Sequence, residues 1–144
     1  MTLLPKTSDT QVGKDQEPAK LDHIAMYTTD LDRSRDFYQF LFNLPMIEEP
    51  FKEGRHVWLS LGGAVQLHII KSKSEQQLVE HAKSDHLCFS VRSIEAFIEK
   101  LKPLGIKYED ASGKGDTYTV RVDGIKQIYL QDPDGHWLEV NDNW

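Results

Sequence analysis

Leu21-Asp22-His23-Ile24-Ala25-Met26-Tyr27 and Asp85-His86-Leu87-Cys88-Phe89-Ser90-Val91 decide the fold of this chain, because the second stretch repeats the plan of the first. Each opens on an acidic residue and a histidine, then runs into alternating apolar positions, the period of a strand. A polar cap and an amphipathic helix follow in both places. Thr28, Thr29 and Asp30 precede a helix over residues 31–43, with Phe37, Phe40, Leu41 and Leu44 on one stripe and Pro45 to stop it. Ser93 precedes a second helix, in which Ile94, Phe97, Ile98 and Leu101 share a face and Gly105 supplies a left-handed residue past the end.

Short strands complete each copy. Residues 46–50, 56–61 and 64–70 read as strands in the first, with Gly62-Gly63 as a hairpin turn. Residues 106–109, 118–122, 125–130 and 137–140 read so in the second, with turns at Asp123-Gly124 and at Asp132-Pro133-Asp134-Gly135. The chain is therefore β-α-β-β-β twice, the copies offset by 63 residues when His23 is laid on His86. The expected fold class is α+β: two modules, 21–71 and 85–141, forming curved mixed sheets around a metal-containing cleft within one domain, 21–144. A sheet with a helix on one face needs its other face covered, and two modules can cover each other. Residues 1–20 read as a flexible arm, residues 71–83 as a polar linker with a short helix near 75–80.

At 144 residues the chain fits one domain, by a prior of about 100–200 residues each. A net charge of −6 without a basic run speaks against a nucleic-acid binder. No apolar run approaches the roughly 18 residues that span a bilayer. The N-terminus lacks the apolar core of a secretory signal, and one cysteine, Cys88, forms no internal disulfide, so a soluble cytoplasmic protein is expected. Cys88 itself reads as a small buried apolar residue.

Two of the six histidines, His23 and His86, hold matched places in the repeat. His68 and Glu139 lie near the middle of the last strand of each module, giving three imidazoles and a carboxylate. Such a set suits one divalent metal per site: Zn, Ni, Co, Mn or Fe. Alternation turns Gln66 and His68 to one face, opposite Val65, Leu67 and Ile69, and leaves Gln66 a competitor for the same role. Glu139 shares its face with Trp137 and Asn141, opposite Leu138 and Val140, where a carboxylate is costly unless paired or ligated. His56, Trp58 and Tyr129 are candidates to line the pocket, and Arg121 and Lys126 could hold a substrate carboxylate or phosphate. His136, in a turn, and His81, in the linker, read as solvated. Gly113-Lys114-Gly115 lacks the setting of a phosphate loop.

Leu21-Asp22-His23-Ile24-Ala25 with Asp30-Leu31-Asp32-Arg33-Ser34-Arg35-Asp36-Phe37-Tyr38 resembles the opening of the vicinal oxygen chelate superfamily, which holds glyoxalase I, bleomycin-resistance proteins, fosfomycin thiol transferases, methylmalonyl-CoA epimerase and extradiol dioxygenases. Asp85-His86-Leu87-Cys88-Phe89 resembles the start of its second module, and Asp132-Pro133-Asp134-Gly135-His136-Trp137-Leu138-Glu139-Val140 its closing signature. The resemblance implies ligation by His23, His86 and Glu139, with His68 as fourth ligand, and a homodimer acting on a small molecule. It places Glu139 as the catalytic base of a glyoxalase I-like lyase or isomerase, on a substrate such as a glutathione hemithioacetal. Gln66 and His68 stand where bacterial glyoxalase I has a Glu, which removes one of that mechanism's two carboxylates. The alternatives are a thiol transferase, an extradiol-type dioxygenase, or a non-enzymatic binding protein of the resistance type.

Overall fold

The computed structural model describes residues 17–74 and 79–144. Most of the expected arm and part of the expected linker helix lie outside the described residues; residues 17–22 have no regular secondary structure.

Helix α1 (Leu31–Phe42) starts where Asp30, in extended conformation, accepts the Arg33 N–H at 3.1 Å. It ends on Asn43 in the left-handed region, whose N–H reaches the Gln39 carbonyl. Its buried face differs from the expected stripe. Ser34, Tyr38 and Leu41 are buried, whereas Phe40 is 62% exposed. The face is set by a distant partner, because the Tyr38 hydroxyl donates to Asp132 at 2.9 Å. Helix α2 (Ile94–Leu101) follows expectation: Ser93 accepts the Ala96 N–H, Ile94, Phe97, Ile98 and Leu101 are buried, and a 3-10 turn (Lys102–Leu104) closes on left-handed Gly105.

The first sheet has the order β1-β4-β3-β2, from β1 (His23–Thr28), β2 (Met46–Ile47), β3 (His56–Ser60) and β4 (Gln66–Lys71). The second has the order β5-β9-β8-β6, from β5 (Leu87–Ser90), β6 (Tyr108–Glu109), β8 (Lys126–Gln131) and β9 (Trp137–Asn141), and β7 (Thr119–Val120) also pairs with β8. In both, the module's first strand lies at the sheet edge, parallel to its last strand. Strand β2 is shorter than expected because Glu49 takes the N–H groups of Phe51 and Lys52 and turns the chain.

One face of each sheet is apolar. Val57, Leu59, Leu67 and Ile69 of the first join Ile128, Leu130, Leu138 and Val140 of the second in one core with both helices. Burying a side chain of this size stabilises by about 1.5–3 kcal/mol. The modules are also joined by contacts around α1. Phe42 stacks on Phe89 at 4.1 Å. Asp134, in the turn before β9, accepts from the Thr29 backbone (3.0 Å), the Thr29 hydroxyl (2.7 Å) and the Ser34 hydroxyl (3.1 Å).

Three residues depart from expectation. His136 is buried, its Nδ1 donating to Asp132 at 2.9 Å, because that turn closes onto α1 instead of facing water. His81 lies against it, ring centroids 4.1 Å apart. Cys88 is exposed, since β5 has a strand neighbour on one side only. Among the described residues no helix is long and apolar enough to cross a membrane.

Candidate metal centre in two halves

The face of each sheet away from the core carries the polar candidates. In the first sheet the register sets His23 opposite Gln66, and His68 between Ala25 and Trp58. The rings of His23, His68 and Trp58 form one stack, His68 lying 4.2 Å from His23 and 3.8 Å from Trp58. Phe51 meets Trp58 edge-on and tilts against His56 at 4.7 Å, so His56 and Trp58 border the same surface. His23 Nδ1 donates to Asp22 Oδ2 at 2.7 Å, which leaves Nε2 to meet another partner. His68 Nε2 is tied to Gln66 Oε1 at 2.8 Å. Burial, and then the neighbouring His23, hold the pKa of His68 below the ordinary histidine value, favouring the neutral ring that metals bind. Trp58 Nε1 is the one buried side-chain nitrogen or oxygen among the described residues without a hydrogen-bond partner.

In the second sheet Cys88, Glu139, Tyr129 and Glu109 form one row across four strands. Glu139 is buried, with Oε2 accepting the Tyr129 hydroxyl at 2.9 Å and Oε1 the Asn141 amide at 3.3 Å. Gln127 in turn donates to the Tyr129 oxygen at 3.1 Å. The Tyr129 phenol is pushed up to about 12 by burial, then by its bond to Glu139. Cys88 is exposed as a residue, but its sulfur is partly covered beside Asn141, and the thiol is likewise pushed up to about 12, by that partial burial first and the Glu139 charge second.

His86 is held from both sides of its ring. Its Nδ1 lies 2.8 Å from the Lys83 carbonyl, which can only accept, so Nδ1 carries hydrogen. Its Nε2 lies 3.1 Å from Glu139 Oε2, the distance of an ordinary ion pair. Two donors on one metal, at bonds of about 2.1 Å, stand roughly 3.0–3.4 Å apart. The pair therefore fits a divalent ion.

The pairs are not joined within the chain. Among the described residues no three His, Cys, Asp or Glu side chains gather closely enough to hold one metal. His23, on edge strand β1, forms one half with His68 of β4, and His86, just before edge strand β5, forms the other with Glu139 of β9. The remaining candidates separate. Arg121 is exposed and paired with Asp123 at 2.6 Å. Lys126 is bound to Glu95 of α2, on the helix side of the sheet. Asp22, Lys83, Gln127 and Asn141 were not singled out from sequence; the alternation that placed Glu139 also puts Gln127 and Asn141 on its face, whereas the role of Lys83 depends on a turn with no period.

A model of the Glyoxalase/Bleomycin resistance protein/Dioxygenase superfamily matches residues 20–140. Similar sequences include Glyoxylase I 4 of Arabidopsis thaliana, 27% identical over 83% of this chain and 68% of that protein. The Metallothiol transferase FosB of Shouchella clausii (strain KSM-K16) is 25% identical over 84% and 78%. Among solved structures, Oxidase ChaP-H2 superposes with a TM-score of 0.72 at 19% identity, over 89% of this chain and 96% of that one.

Proposed function

Because the chain belongs to the Glyoxalase/Bleomycin resistance protein/Dioxygenase superfamily, we propose that it is a metal-dependent enzyme that takes a small substrate with two adjacent oxygens, and that its reaction is an extradiol-type oxygenation. One observation supports this most: Glu139 lies 3.1 Å from His86, which holds the place in the second module that His23 holds in the first, so that two histidines and one carboxylate are the donors proposed for the ion. The fourth candidate, His68, is tied to Gln66 and closed between two rings. Two histidines and a carboxylate with open positions is the set of non-haem iron(II) oxygenases. A bound iron or manganese ion would supply the Lewis acid and redox chemistry.

The chain's own residues do the rest. Asp22 and the Lys83 carbonyl orient His23 and His86 through Nδ1, which turns Nε2 of His86 toward Glu139. Tyr129 and Asn141 hold the Glu139 carboxylate in place. The stacked rings and Phe51 offer a flat apolar wall to an aromatic diol. The isomerase reading loses ground because Gln66, not a second carboxylate, stands opposite His23. Thiol transfer is the second reading, favoured by the likeness to the metallothiol transferase.

The halves unite in a homodimer on this reading, the first module of one copy facing the second module of its partner. An edge strand with unpaired backbone groups is a ready template for such pairing.

Untagged protein loaded anaerobically with iron(II) and given ring-substituted catechols tests the reaction. Oxygen uptake with ring-opened product is expected, lost in His86→Ala and Glu139→Ala. No uptake with any catechol, beside manganese-dependent addition of a thiol to an epoxide, would replace oxygenation by thiol transfer.

A further inference from the structure

We propose that Lys83 is a positioning residue for His86, acting through its own backbone carbonyl; the idea rests on His86 being a metal ligand. The two matched histidines are oriented by different means. His23 donates from Nδ1 to the adjacent carboxylate of Asp22. The residue at the same place before His86 is Asp85, yet His86 Nδ1 donates to the Lys83 carbonyl at 2.8 Å instead. That carbonyl belongs to a turn, closed by the Asp85 N–H on the Ala82 carbonyl at 2.9 Å, outside any helix or strand. A turn of this kind holds a ring only as firmly as it is itself held.

The Lys83 side chain supplies the hold. Its ammonium lies 2.7 Å from Glu109 Oε1 and 2.9 Å from the Asp110 carbonyl. It stands 4.5 Å from the centre of the Tyr129 ring and 5.4 Å from that of Trp137. These contacts come from β6, β8, β9 and the chain just after β6, so one side chain pins the turn to three strands of the second sheet. Tyr129 also donates to Glu139, so the same cation steadies both members of the His86–Glu139 pair, one through a carbonyl and one through a ring. With the carbonyl fixed, His86 is held through Nδ1 in one orientation and presents Nε2 toward Glu139.

The test compares wild type, Lys83→Met, Lys83→Arg and Glu109→Gln by two readouts. Long-range proton–nitrogen NMR on metal-free protein, at a pH high enough for the ring to be neutral, reads the His86 tautomer, and a cobalt(II) titration followed by visible absorption reads affinity. Lys83→Met keeps the stem but loses the ammonium; a mixed tautomer and cobalt affinity lowered about tenfold are expected. Lys83→Arg, which can pair with Glu109 and stack on both rings, should restore a single tautomer. Glu109→Gln should weaken cobalt binding in the same direction, by less, and carries the test should the methionine variant fail to fold. A single tautomer with cobalt affinity within twofold of wild type in Lys83→Met, or in Glu109→Gln where that variant alone folds, overturns the proposal. Wild type that takes up no cobalt, while Lys83→Met still mixes the tautomers, upholds the positioning role and removes the metal reading instead.

Discussion

Glu139 lies among apolar neighbours, Leu138 and Val140 before and after it, and remains there because three donors or prospective partners surround its oxygens: Tyr129, Asn141 and His86. A buried carboxylate without such partners is expensive. Tyr129 is the hinge of this arrangement, donating to Glu139 and accepting from Gln127. Tyr129→Phe leaves the Gln127 amide and one carboxylate position unpaired, and should lower stability by about 1–3 kcal/mol. Urea unfolding checks it: the midpoint should fall with the slope unchanged. An unaltered midpoint would mean that water replaces the hydroxyl at no cost.

At the scale of elements, the turn 132–136 ties the closing strand of the second module to the first helix. Asp134 is 2% exposed in its side chain. Burial alone would raise its pKa; the hydrogen bonds from Thr28, Thr29 and Ser34 outweigh that and hold it below the ordinary aspartate value. A carboxyl whose folded pKa is lowered stabilises the protein above its unfolded pKa, and that stability disappears as pH falls through the folded value. Asp134→Asn should therefore cost about 2–3 kcal/mol near pH 7, and the gap from wild type should narrow below about pH 4. Denaturation series at several pH values measure this; a gap that stays constant into acid would show that the charge plays no part. Both helices, their caps and the strand alternation at Leu67, His68, Leu138 and Glu139 were legible in the sequence, because each depends on neighbours within a turn or a strand. The burial of His136 was not, since Asp132 and Tyr38, whose contacts seat the turn, belong to different modules. Nor was the tie of His68 to Gln66, two residues sharing a face that the pattern could only rank as rivals.

For the molecule as a whole, the division of the candidate centre gives a test that no single variant provides. His23→Ala disables the first half and Glu139→Ala the second. If each site is shared between two copies, mixing the two inactive variants and letting subunits exchange should restore about a quarter of wild-type activity, because half the dimers are mixed and each has one intact site. A site closed within one chain would give none.

The edge positions of β1 and β5 also carry a consequence for dosage. If each centre is shared between two copies and the chains are mostly apart, the number of assembled centres rises with the square of chain concentration. Specific activity would then fall on dilution without any unfolding, and a cell could tune turnover steeply by small changes in how much of the protein it makes.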